Sequence, residues 1–343
     1  MARKLFADIL GITKPLVVSV NNSHNNATAM ATITAEGTSM DIGDPISIDL
    51  GFTDDHANIF NGWVKGVDRQ VPEDVYTITA QDKLVQAIDY FIVSASPDAP
   101  YNYGKGISAE DLVDKVLTLA DVPLTHSCID PTFFTFGVNN DVEVNLVSSY
   151  DYAKMIADIV TWGVWCDRAG NIHFENRKPF VMGADPGQPG WDADTPINAD
   201  PYTDVIIIDN TYKRTEKELR NRVVVYGEGG IKADKKRADS YDPFDDSYKQ
   251  ILPVGFYKSV VCSYGFIGTQ AIADDIAQYN LDKLNKITEQ VAVTMEGKPE
   301  LEARIVIRLK EDITEIPNSL WYTYSVDHAW SKDGYVCMMD LRR

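Results

Sequence analysis

Cysteine is scarce in this chain, and what there is of it is scattered. Cys128, Cys166, Cys262 and Cys337 in 343 residues form no CxxC spacing and no disulfide framework. Cys166 and Cys337 sit in apolar or aromatic runs and read as buried thiols. Long apolar runs are missing too. None approaches the ~20 residues of a membrane-spanning helix, and Asp8 and Pro15 break the stretch that a leader peptide would need after Arg3 and Lys4. Positive charge is the third shortage: 32 Lys and Arg face 51 Asp and Glu, a formal net of −19. Such a chain does not wrap nucleic acid by neutralising phosphates. It fits simple solubility, or a surface that must not retain DNA.

Signatures of chemistry are absent as well. There is no GxSxG elbow, no HExxH helix and no phosphate-binding Walker loop. Gly227-Glu228-Gly229-Gly230 lacks the GxGxxG spacing and reads as a hairpin end. The histidines, His24, His56, His126, His173 and His328, are dispersed. His126 and Cys128 are the nearest approach to a zinc pair, but a tetrahedral site needs further ligands. His328 reads as a polar residue at a strand end. Asp239, Asp242, Asp245, Asp246 and Ser247 could cup calcium, yet the order of an EF-hand is missing, and a solvated acidic loop is the simpler reading. No catalytic, cofactor-binding or metal-ligating residue is therefore expected.

What the chain does contain is a repeat. Trp63-Val64-Lys65-Gly66-Val67-Asp68, followed by Asp74 and Tyr76, resembles Trp321 to Asp327 followed by Asp333 and Tyr335. Val67, Asp68, Asp74 and Tyr76 recur at one constant offset as Val326, Asp327, Asp333 and Tyr335. Gly43-Asp44-Pro45 precedes the first copy and Gly297-Lys298-Pro299 the second. Internal self-similarity can set an architecture, and here it suggests two related β units. The competing reading is that two amphipathic hairpins share a Val, a turn Asp and a Tyr by chance.

Around the repeat, β-type runs at 16–20, 27–34 and 46–50 precede the first hairpin, and Asp82 precedes a short helical pattern as its N-cap. The stretch 96–183 changes character. Ser108 opens one helix and Ser149 a second, and a hairpin follows over Asp167-Arg168-Ala169-Gly170. Further strands are expected at 205–208, 222–226 and 256–261, an exposed loop at 227–253, and a long helix capped by Thr269. Four strands close the chain.

The order of these parts resembles the baseplate hub proteins of contractile phage tails: the T4-like and Mu-like hubs, the late-control D proteins and the hub portion of type VI secretion spikes. "ITAQDKLVQAIDYFI", "GISAEDLVDKVLTLADV", "SYDYAKMIADIVTWGVWCDRAGNIHF", "NRVVVYGEG", "AIADDIAQYNLDKLNK" and "LWYTYSVDHAWSKDGYVCMMDL" carry the resemblance across nearly the whole chain. Ala303-Arg304 stands where the family usually carries a Pro-Gly turn. The resemblance implies a mixed β and α+β chain with two related tube-like β-barrel domains and an inserted α+β module. The first barrel is expected at 1–95, with 184–220 as a candidate completing segment, and the module at 96–183. The second barrel is expected at 184–343, with its long helix near 269–287 and the loop at 227–253. It further implies a homotrimer without enzymatic activity, cofactor or membrane anchor, assembled in the host cytoplasm into the virion's tail baseplate. Expected partners are a tail tube or tube-initiator protein, a trimeric spike and other baseplate proteins, with DNA only passing through the lumen. Two other classes stay open: a scaffold for a tail-associated cell-wall hydrolase, and a carbohydrate-binding adhesin using tryptophans such as Trp191 or Trp330.

Overall fold

The computed structural model describes residues 3–94, 101–127, 134–137, 141–175, 206–215, 217–237, 257–265, 267–285, 288–311 and 316–342. An 11-stranded antiparallel sheet dominates them. Its spatial order is Leu5–Ile9, Pro45–Phe52, Asp55–Gln70, Val75–Asp82, Met30–Ala35, Pro15–Ser23, Ile316–Ser331, Gly334–Arg342, Thr288–Glu296 and Ile207–Thr215. Val306–Glu311 pairs with Ile316–Ser331 off this path. Alternate residues point to one face, so Val18, Ile33, Ile48, Ile78, Val293 and Met339 share one hydrophobic core. A one-residue slip of any strand would expose its whole apolar set at ~1.5–3 kcal/mol per side chain, and burial therefore fixes the register.

The sheet contains the same five-strand order twice. Pro45–Phe52, Asp55–Gln70, Val75–Asp82, Met30–Ala35 and Pro15–Ser23 lie side by side in that order. So do Val306–Glu311, Ile316–Ser331, Gly334–Arg342, Thr288–Glu296 and Ile207–Thr215, which follow one another in the same chain order. The irregularities coincide as well. The first long strand shifts register between Val64 and Gly66, the second between Thr323 and Ser325, which lies at the constant offset seen in the sequence. Pro15–Ser23 shifts between Pro15 and Val17, and Ile207–Thr215 between Ile207 and Asp209. Bulges re-aim a strand at a chosen place. Chance hairpins would not share them.

The structural match also corrects the sequence match in detail. Trp63 aligns with Tyr322, since both lie two residues before their bulge, and Trp321 falls one position off. The first hairpin turns through 71–74 between Gln70 and Val75, whereas the second turns tightly between Ser331 and Gly334. Asp333 and Tyr335 are therefore not register partners of Asp74 and Tyr76. Upstream, Gly43 and Asp44 hydrogen-bond to Val64 as Arg304 and Ile305 do to Thr323. The counterpart of Gly43 is thus Arg304, not Gly297. Both adopt a left-handed backbone, Gly43 at φ 92 and Arg304 at φ 71.

A second core lies outside the sheet. Helices Leu84–Asp89, Ala109–Thr118, Ser149–Val160 and Gln270–Leu284 contribute to it, with the three-stranded sheet of Lys232–Lys236, Arg222–Tyr226 and Ser259–Ser263. Leu112, Val116, Ile156, Val223 and Ile276 meet there, fully buried. It therefore combines the stretch between the two strand sets with the long excursion inside the second set.

Local expectations fared unevenly. Ser108 and Thr269 cap their helices by accepting the Asp111 and Ile272 N–H groups. The cap of the Ser149–Val160 helix is Ser148, whose extended backbone lets its hydroxyl accept the Asp151 N–H. Asp82 sits one residue before the N-cap position, held by Lys83, and accepts the Leu84 N–H. The 227–253 loop contains a strand, Lys232–Lys236, and its remainder from 238 lies outside the described residues. The sequence hides this strand because it is an edge, with Ala233 its one buried residue. The expectation that 184–220 completes the first unit fails for Ile207–Thr215, which pairs with Thr288–Glu296 in the second set.

Candidate assembly edges

The two strand sets join at one seam. Pro15–Ser23 runs antiparallel to the C-terminal half of Ile316–Ser331, from Val17 opposite Ser331 to Ser23 opposite Ser325. On the core side Val18 faces Trp330 and Val20 faces His328. On the outer side the Asn21 amide donates to the Asp327 carboxylate. His328 lies within its strand and not at its end, and Trp330 is not the exposed residue that an adhesin would use. Strand alternation turns both inward, to 3% and 8% exposure.

His328 is held as a neutral ring. Its Nδ1 accepts from the Tyr335 hydroxyl at 2.6 Å, and its Nε2–H donates to the Leu301 carbonyl at 3.0 Å. Burial pushes its pKa down to about 4. A folded-state pKa below the unfolded value of about 6.5 gives stability that is complete above that value and lost as pH falls to about 4. Replacement of His328 by glutamine is therefore expected to make the urea-denaturation midpoint, relative to the parent's, fall as pH rises from about 4 to 6.5. An unchanged pH profile would contradict the buried neutral ring.

Among the described residues three strand edges are open where their counterparts are covered: segment 66–70, Ile207–Thr215, and Val306–Glu311, which lacks the partner that Leu5–Ile9 gives Pro45–Phe52. The segment 325–331 is paired with Pro15–Ser23, but the equivalent segment 66–70 has no second partner strand among the described residues. Pro15–Ser23 pairs on both sides, whereas among the described residues Ile207–Thr215 pairs only with Thr288–Glu296. Beside these edges Val71, Ile206 and Ile208 are exposed at 77%, 66% and 59%. The Asn210 Oδ1 is buried with no hydrogen-bond partner among the described residues. Open edges with apolar side chains are templates for pairing with another chain. The sequence repeat was the available signal for them, and only the register reveals which edges stay open.

Catalytic arrangements do not converge anywhere among the described residues. His173 holds Asp167 at 3.0 Å and Glu175 at 2.7 Å, one carboxylate on each ring nitrogen. Burial lowers its pKa, but these two partners outweigh burial and raise it. A ring with both nitrogens donating to carboxylates is a clamp and not a base. A cleft of about 220 Å³ between the two cores is lined by His24, Tyr150, Lys154, Trp162, Lys283 and Arg304. Lys154 pairs there with Asp158, and burial pushes the His24 ring down to about 3, with help from Arg304 and Lys283. No group of three or more metal-ligating side chains forms among the described residues. The His126 side chain, Cys128, the Asp239 to Ser247 group and Trp191 lie outside what is described. No described helix is long and apolar enough to cross a membrane.

Neither family models nor curated proteins match this sequence. Solved structures do. The 43 kDa tail protein of prophage MuSo2 from Shewanella oneidensis matches with a TM-score of 0.64 at 12% identity, over 98% of this chain and 97% of that one. The chain has a phage tail-protein fold. A tail protein from Neisseria meningitidis matches with a TM-score of 0.63 at 10% identity, covering 100% of this chain and 97% of its own. The Escherichia coli c3393 protein, a type VI secretion component with structural similarity to T4 tail proteins, matches at 0.55 and 9% identity, over 98% and 76%. The tail-protein fold thus extends over the sheet and the second core together.

Proposed function

We propose that this chain is a structural baseplate hub, a trimer that adapts a hexameric tail tube to a trimeric spike. The observation that carries this reading is the duplicated five-strand order with coincident bulges. Two equivalent units per chain let three chains present six similar positions on one side and a true three-fold axis on the other. The first barrel-like unit is assigned to 1–95 and the second to its strands within 184–343. The α+β segment 96–183 and the loop 227–253 then face neighbouring baseplate proteins. Assembly of this kind needs closed heterologous interfaces and no reactive group.

The outer face of the sheet is the natural lining of the channel. It carries Ser19, Thr32, Thr34, Thr77, Thr79 and Ala292, with Asp327 and Asp340, and few cations. Carboxylates repel phosphates and few cations are there to neutralise them, so DNA passing through would be weakly retained. Light scattering on the purified protein should give three times 38.2 kDa, and the particle should not bind or cleave peptidoglycan. A monomer that binds glycans would replace this reading with the adhesin one. A catalytically active particle would replace it with the hydrolase scaffold.

A further inference from the structure

We infer that Ile207–Thr215 of one chain pairs antiparallel with segment 66–70 of a second copy, setting Lys213 opposite Asp68. The inference rests on the trimeric hub reading and names the contact that would close its ring. It follows from carrying the one seam visible inside the chain over to the edges that are its equivalents.

The bulges supply the alignment. Val17 and Asp209 each follow the bulge of their strand, opposite Thr34 and Thr294. Asn21 therefore corresponds to Lys213. Val64 and Thr323 each precede the bulge of the long strand, opposite Ala80 and Leu341. Asp327 therefore corresponds to Asp68. Within the chain, Asn21 stands opposite Asp327 and donates to its carboxylate. Between chains the same register puts an exposed ammonium opposite an exposed carboxylate. The neighbouring positions agree. Val20 opposite His328 becomes Tyr212 opposite Arg69 in the same backbone register. Ser19 opposite Ala329 becomes Thr211 opposite Gln70.

Charge and geometry favour a second copy as the occupant. Lys213 places an exposed cation on an edge of a chain whose net charge is −19, and the opposing edge offers Asp68. The contact is head-to-tail, so it does not stop at a pair, and it forms a ring where the rotation between copies closes. Leu5–Ile9, another end strand, is short and carries the charged Asp8, as protected edges do. Ile207–Thr215 then does return to a first unit, but to that of the next copy.

The test uses the full chain with Asp68→Cys and Lys213→Cys together, oxidised and run without reductant. Cross-strand neighbours lie within the Cα separation that a disulfide spans. Cross-linked dimers and trimers, with trimer the largest species and none from either single variant, are the expected result. In parallel, Asp68→Lys or Lys213→Asp should weaken association roughly tenfold, and the double reversal should restore it. A stable trimer that neither cross-links nor responds to charge reversal would overturn this pairing and leave the hub reading standing. A chain that stays monomeric and uncross-linked at every concentration would overturn both.

Discussion

Replacing Arg304 by glycine is expected to cost less stability than replacing it by alanine, although both remove the same side chain. Arg304 occupies a left-handed backbone conformation at φ 71, which costs a residue with a Cβ ~1–2 kcal/mol relative to glycine. The guanidinium offsets that cost. One of its nitrogens donates to the Asn22 side-chain oxygen at 3.2 Å, and another to the Ser23 and His24 carbonyls at 3.0 and 3.3 Å. It also lies 5.5 Å over the Trp165 ring. The residue is 6% exposed, so these bonds form away from water, where a charged hydrogen bond contributes ~1.5–3 kcal/mol. Alanine should lose on the order of 3–4 kcal/mol in urea denaturation, and glycine about 1 kcal/mol less. Equal losses would show that the backbone there is unstrained. A glycine variant as stable as the parent would show that the guanidinium contacts contribute nothing.

The second large effect belongs to Asp82, at the end of Val75–Asp82 where the sheet hands over to the first helix. Its carboxylate accepts the Ala29 N–H at 2.6 Å and the Leu84 N–H at 2.9 Å, and the residue is 3% exposed. Burial raises its pKa to about 7, against the opposing pull of those two donors. A carboxyl whose folded value lies above its unfolded 3.8 gives stability that is complete below 3.8 and lost as pH rises towards 7. At ~1.4 kcal/mol per unit, the loss is on the order of 4 kcal/mol. His328 slopes the other way over much of that range, so the parent profile is partly cancelled. Asp82→Asn should unmask a stability that rises with pH between about 4 and 7. Asp82→Ala should be worse than Asp82→Asn by roughly 2 kcal/mol at pH 5, because both N–H groups lose their acceptor. Parallel pH profiles for parent and Asp82→Asn would contradict a buried carboxyl with a raised pKa.

Much of the architecture was legible in the sequence where alternation is strong. The runs around Ile33, Ile78, Val293 and Met339 pair in the one large sheet, and the repeat at Val67-Asp68 and Val326-Asp327 marks equivalent places in it. The sequence misaligned the repeat at Asp333 and Tyr335 because the two hairpins turn with loops of different length, and at Trp321 and Gly297 because matching residue types departs from the register. Arg304 was invisible as the counterpart of Gly43, since its left-handed backbone depends on carbonyls some 280 residues away in the chain. Lys232–Lys236 was missed because an edge strand with one buried side chain reads as a loop. The inward direction of Trp330 and the mid-strand place of His328 were not legible because both are set by register. The candidate edges rest on strand pairing, which composition does not encode.

The claim that most needs testing is the ring of six similar units from three chains. Cryo-electron microscopy of the protein within an intact tail would test it directly. The account predicts a closed three-fold ring at the tube–spike junction, whose inner wall repeats nearly every sixth of a turn, with the strands around Val67 and Val326 in alternating equivalent positions. A protein found as a single copy, or at a place where those two strands face different surroundings, would contradict it.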